Sequence, residues 1–126
     1  MSSFQKGYLV FIVGGAGYML LEILWRGYTH ISMGFLGGFC LIMILAVDKF
    51  MVGSPLYLKA LVCSLGITLA EFISGVLLNM VFKLSVWDYS NMPFNLLGQV
   101  CPAFSIIWFL LSGAVLWVKS SLTFLK

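Results

Sequence analysis

Charged residues are the scarcest class in this chain of 126 residues. Asp, Glu, Lys and Arg together make up 9% of the chain, whereas 62% is hydrophobic and the mean hydropathy is +1.10. A soluble domain carries about 25% charged residues, so the composition excludes an ordinary water-exposed surface. The sequence therefore predicts an all-α, polytopic membrane protein whose solvent is the bilayer.

Basic runs, cysteine pairs and histidine clusters are also missing from the sequence. The formal net charge of +3 is scattered, which argues against nucleic-acid binding. Cys40, Cys63 and Cys101 lie in apolar stretches without a CxxC spacing, so we interpret them as small buried side chains. His30 is the only histidine, and neither a metal site nor a cofactor is expected.

Four apolar stretches are long enough to form transmembrane helices, each of which needs about 20 residues. The first continues to a Glu–Arg pair without a small-residue cleavage site, so we expect a retained helix rather than a signal peptide. The sequence predicts one domain over residues 1–126, with a long polar connection at 83–96 and spans at residues 8–25, 31–47, 60–82 and 97–118.

The basic residues predict the orientation of these spans. An even number of spans places both termini on one side, and that side holds Lys6, Lys49, Lys59, Lys119 and Lys126. Only Arg26 and Lys83 fall on the other side. The positive-inside rule then favours cytoplasmic N and C termini in a plasma membrane or bacterial inner membrane.

Short matches between the two halves suggest an internal repeat. Residues 17–22 and 66–71 share Gly, Leu and Glu at the same spacing, and residues 33–40 resemble residues 92–101 with two additional residues. One interpretation is a pair of helical hairpins in the same orientation, an arrangement known from transporters.

Ionisable side chains occur inside or beside the spans, where they are costly and usually functional. Glu22, Arg26 and His30 are spaced four apart, which predicts a stripe along one face of the first helix and its extension. This stripe is either a substrate contact or a structural clamp in which Arg26 reaches the interface.

Glu71 lies about halfway along the third span, and Gly75 and Asn79 continue its helical face. A carboxylate at that depth is protonated or paired, and Arg26 is the expected partner. Structural pairing and substrate contact both remain open for Glu71.

The connection before the fourth span is polar and aromatic. Trp87 suits a membrane interface, and Asp88 or Ser90 is expected to cap a short helix that includes Pro93. Asn95 and Gln99 are four apart and are expected at the top of the fourth helix. The segment is interpreted either as an interfacial loop or as a lid over the Glu/Arg cluster.

Several of these segments resemble a known family. The resemblance covers most of the chain and is most specific in Trp87-Asp-Tyr-Ser90, Pro93-Phe-Asn95 and Gly98-Gln99, with further matches at residues 21–33, 37–38, 71–75 and 79. These segments resemble the CmpB-like family of small bacterial integral membrane proteins named as ABC-transporter permeases, which implies a role in transport.

Three functions remain open from the sequence. The first is a transporter or permease component, working as a homodimer or with a partner subunit. The others are an accessory membrane subunit and, less favoured, a membrane-embedded enzyme acting on a lipid head group. The candidate substrate-binding residues are Glu22, Arg26, His30, Glu71, Asn79, Trp87, Asp88, Asn95 and Gln99; no catalytic residue is assigned.

Overall fold

The computed structural model describes residues 2–121, and four helices in this range are long and apolar enough to cross a membrane. The predicted all-α class with four such helices is confirmed, and Lys126 lies outside the described residues. The third helix continues into a π-helical segment, Val76–Val81. The α-helices are α1 (Ser3–Arg26), α2 (Ile31–Phe50), α3 (Leu56–Gly75) and α4 (Pro102–Ser121).

Local signals set both ends of α1. The Ser2 hydroxyl accepts a hydrogen bond from the backbone N–H of Gln5, whose side chain returns a bond to the Ser2 N–H. This reciprocal pair satisfies two N–H groups that a helix start leaves without partners. The helix ends where Gly27 adopts a φ of 81°, a left-handed conformation that glycine tolerates and that terminates helices.

The chain forms two compact units, one ending at Met43 and the other starting at Ile44. In the first unit, α1 and the beginning of α2 approach through glycines. A Cβ atom on Gly15 would lie 2.5 Å from the carbonyl oxygen of Gly34. Such backbone contact needs small residues on both helices, as is common where helices pack in a membrane.

In the second unit, α3 and α4 pack side by side and exchange hydrogen bonds. The Ser64 hydroxyl donates to the carbonyl oxygen of Ser105 at 2.6 Å, and Thr68 Oγ1 lies 2.7 Å from Ser105 Oγ. Cys63 on α3 is fully buried, in agreement with its interpretation as a small packing residue. Hydroxyl pairs of this kind join helices that lipid alone would not drive together.

The fourth helix starts at Pro102, later than the expected residue 97. Phe94, Leu97 and Gly98 all have positive φ, which an α-helix cannot contain. Proline suits the first helical position because it has no backbone N–H to leave without a partner. Residues 82–101 therefore form a long irregular segment, here called the α3–α4 connection.

Candidate functional site

The Glu71 carboxyl group is buried at the α3–α4 interface, with 1% of the residue exposed. The indole Nε1 of Trp108 on α4 donates a hydrogen bond to Glu71 Oε1 at 2.7 Å. Glu71 is therefore an intramembrane acidic residue joined to a second helix through a specific polar contact.

Asn79 lies two turns beyond Glu71, inside the π-helical segment that follows α3, and it organises the start of the α3–α4 connection. Its Oδ1 accepts hydrogen bonds from the backbone N–H groups of Val86 at 2.7 Å and Trp87 at 3.4 Å. Its Nδ2 donates to Gln99 Oε1 at 2.8 Å. One amide side chain thus ties both ends of the connection to the helix.

Trp87 and Gln99 pack directly over Gly75. The Trp87 indole N–H donates to the Gln99 carbonyl oxygen at 2.9 Å, and both residues are buried. A Cβ atom on Gly75 would lie 2.5 Å from Gln99 Oε1 and 3.0 Å from Trp87 Cζ2. The connection therefore folds back onto α3 one turn beyond Glu71, and only glycine leaves room for it.

Aromatic rings link the connection to the buried carboxyl group. Tyr89 stacks on Phe104 with ring centroids 4.6 Å apart, and Phe104 lies 6.5 Å from Trp108, which binds Glu71. We call Glu71, Asn79, Trp87, Gln99 and Trp108 together the Glu71 site. Sequence analysis missed Phe104 and Trp108, although a tryptophan in mid-span signals an indole N–H that needs a partner.

Asp88 and Asn95 shape the connection itself. The Ser90 backbone N–H donates to Asp88 Oδ1 at 2.9 Å, and this bond holds the pKa of the exposed Asp88 carboxyl below its usual value. Asn95 Nδ2 donates to the carbonyl oxygens of Ser90 and Met92, while its Oδ1 accepts from Gly98 N at 2.9 Å. Both side chains therefore replace backbone partners in turns.

Two expectations about this segment were wrong. Asn95 and Gln99 do not sit at the top of the fourth helix, because the backbone between them reverses through Leu97 and Gly98 at positive φ. Pro93 belongs to a turn rather than to a short helix capped by Asp88 or Ser90. The side chains of Asn95 and Gln99 instead bond within the connection and to Asn79.

In the first unit, Glu22 and Arg26 form the expected ion pair. Their Oε2 and Nε atoms lie 2.7 Å apart, and the Arg26 guanidinium lies 4.4 Å from the Tyr28 ring centroid. His30 does not extend their stripe, because Gly27 ends α1 first. His30 precedes α2, where its Nδ1 accepts a hydrogen bond from Ser32 N at 3.1 Å and so acts as a cap.

The expected bond between Glu71 and Arg26 would join the two units, to which these residues belong separately, and it stays a prediction. The internal repeat also stays a prediction.

An ion cluster at the opposite end of α3 was missed by sequence analysis. Asp48 Oδ1 accepts from Lys59 Nζ at 2.7 Å, and Asp48 Oδ2 accepts from Lys119 Nζ. We call these three residues the Asp48 cluster. A signal was present, because Asp48 is the only acidic residue among the charges assigned to the side of the termini.

Comparison with known families supplies the wider context. A family model described as "Putative ABC-transporter type IV" matches residues 8–125. The chain belongs to this family. No curated protein and no solved structure matches the chain. Family membership and the four apolar helices together make the chain a multi-pass membrane protein related to ABC transporters.

Proposed function

We propose that this family member is a membrane-embedded component of a transporter and that its Glu71 site binds the solute. The observation that carries the proposal is the Glu71 carboxyl group, 1% exposed and within a span. Ionisable residues at such positions commonly mark solute, ion or proton pathways. Glu71 would hold a cationic group or a proton.

The backbone around Asn79 supports movement of the α3–α4 connection. Asn79 lies in a π-helical segment, and such segments occur frequently at functional sites. Beyond it, Lys83 and Ser85 have φ values of 56° and 53°, which are uncommon for non-glycine residues. Release of the Asn79 hydrogen bonds to the backbone of Val86 and Trp87 would free the start of the connection to act as a lid.

The orientation belongs to the same proposal. The lysine distribution favours cytoplasmic termini, which places the Asp48 cluster at the cytoplasmic side and the connection outside. The Glu71 site would then open to the extracytoplasmic face of the plasma or inner membrane. Arg26, paired with Glu22 at the end of α1, is a separate candidate for binding an anionic group near that face.

Oligomerisation is also expected, since four helices rarely enclose a complete path through a membrane. The chain would act as a homodimer or beside a partner subunit. The segment between α2 and α3 covers only residues 51–55, so it has no room for a helix that could engage a nucleotide-binding subunit. Such coupling would need surfaces from a partner.

Native mass spectrometry of the protein released from lipid nanodiscs tests the proposal. Glu71→Gln retains an oxygen that can accept from Trp108 but removes the ionisable group, and Asp48→Asn is a control that removes a carboxylate outside the Glu71 site. We expect a small-molecule adduct on the wild type and the control, with loss from Glu71→Gln. Its mass would identify the substrate class.

Absence of an adduct from all three proteins, or an equal adduct on all three, would contradict the proposal and favour an accessory subunit. No described contact favours the enzyme alternative. His30 and Asp88, whose side chains could in principle serve in acid–base catalysis, bond to nearby backbone N–H groups in local structural roles.

A further inference from the structure

The Asp48 cluster carries more positive than negative charge. Its single carboxylate accepts one hydrogen bond from each of two lysines, which leaves a net charge of +1. The side chains are mostly shielded, with exposures of 15% for Lys59, 23% for Asp48 and 29% for Lys119. A partly desolvated excess charge is unfavourable unless a counter-ion completes it.

Among the described residues, the cluster has hydrogen-bonding capacity beyond its two ion pairs. Each ammonium group has three N–H donors, and Asp48 accepts one from Lys59 and one from Lys119. Lys59 also lies in the first turns of α3, whose Pro55 cap provides no side-chain hydrogen bond. The positive end of that helix dipole adds to the two ammonium groups and favours an anion at this place.

The position of the cluster fits the phosphate level of a bilayer. Asp48 and Lys119 lie near the carboxyl ends of α2 and α4, and Lys59 lies near the start of α3. All three residues are therefore at the ends of apolar spans, where polar headgroups replace hydrocarbon. Lys49 is next to Asp48 in the sequence but is exposed, and among the described residues the ion pairs of Asp48 are with Lys59 and Lys119, so Lys49 serves as a comparison residue rather than a member.

We propose that the Asp48 cluster is a binding site for a phosphate group, carried by an anionic phospholipid or supplied as free phosphate. Lys59 and Lys119 donate to its oxygens, while Asp48 holds the two ammonium groups together. The inference is independent of the Glu71 site, which lies further along α3 on the same unit.

Lipid retention in nanodiscs of mixed phosphatidylcholine and phosphatidylglycerol tests this site with variants that lower or raise the net positive charge of the cluster. Lys119→Gln leaves a neutral Asp48–Lys59 pair, so native mass spectrometry should show roughly fivefold less retained phosphatidylglycerol, the effect of one cation beside an anionic headgroup. Asp48→Asn leaves both ammonium groups and should retain at least as much as the wild type. Lys49→Gln should match the wild type.

A double variant separates binding from folding. In the double variant Asp48→Asn with Lys119→Gln, the net charge of the cluster is again +1. Retention of phosphatidylglycerol should therefore recover relative to Lys119→Gln alone, whereas retention lost through misfolding would not recover. Equal losses for Lys49→Gln and Lys119→Gln, or reduced retention for Asp48→Asn, would overturn the proposal if the free-phosphate test is also negative.

The two phosphate sources give different results. In nanodiscs of phosphatidylcholine alone, inorganic phosphate titrated by calorimetry should bind the wild type and not Lys119→Gln if free phosphate is the ligand. Retained phosphatidylglycerol without phosphate binding identifies the lipid headgroup. Neither signal in the wild type would refute the site.

Discussion

The packing of the α3–α4 connection over Gly75 gives a quantitative prediction for Gly75→Ala. The new Cβ atom would lie 2.5 Å from Gln99 Oε1, 2.9 Å from Gln99 Cβ and 3.0 Å from Trp87 Cζ2. Real Cβ atoms do not approach so closely, and both neighbours are buried, so the connection must move away from α3. Overpacking of this kind costs about 1–3 kcal/mol.

Gly113→Ala on α4 is the matched control. Its Cβ would lie 3.8 Å from the Ala60 Cβ, an ordinary van der Waals contact. Both substitutions add one methyl group to a glycine in a helix, so any gain from the higher helix propensity of alanine cancels in the comparison. Gly75→Ala should therefore be less stable than Gly113→Ala by about 1–3 kcal/mol.

Two measurements check this difference. Unfolding in mixed micelles by titration with dodecyl sulfate gives the free energies, and chymotrypsin digestion in nanodiscs reports whether residues 82–101 have loosened. We expect faster cleavage of Gly75→Ala within the connection. Equal stability and equal cleavage of the two variants would refute the close packing of Trp87 and Gln99 on α3.

Two further predictions concern the polar contacts of the connection. Asn79→Ala removes the hydrogen bonds of Asn79 with the Val86 N–H and with the Gln99 side-chain carbonyl, which should cost about 0.5–1.5 kcal/mol for each bond; unchanged micellar unfolding would contradict it. The lowered pKa of Asp88 means that its ionised form stabilises the connection above the usual Asp pKa of 3.8 and that this contribution is lost as the pH falls through the lower folded-state pKa. Proteolysis of residues 82–101 should therefore accelerate on acidification using an acid-stable protease, and Asp88→Asn, which keeps an acceptor oxygen, should remove that dependence.

Hydrophobicity was sufficient to predict the four helices, because membrane spans depend on local composition and length. Spacing also placed Glu71, Gly75 and Asn79 on one face of the third span. Glu71 bonds to Trp108, whereas Gly75 and Asn79 both contact Gln99. Both predictions depend on one helix at a time. The length of the apolar stretch predicts the span, and the helical period predicts which residues share a face.

Contacts between distant residues were harder to predict. Asp48 and Lys119 are 71 positions apart, and no local sequence spacing relates these two residues. The turn before α4 was missed because Phe94 and Leu97 adopt a left-handed conformation that neither residue favours intrinsically. His30 was misplaced because the four-residue spacing was extended past Gly27, whereas α1 ends at Arg26.

Two polar side chains of α3, Ser64 and Glu71, bond to α4 with different chemistry. Polar groups within lipid must satisfy one another, and Ser64 does so with a neutral hydroxyl that bonds to Ser105 on α4. A second neutral group would suffice to join α3 to α4 at Glu71. A carboxyl group instead brings either a negative charge or an exchangeable proton to that place. The choice of an acid beside Trp108, rather than another hydroxyl, is therefore what favours a solute or proton site over a simple clamp.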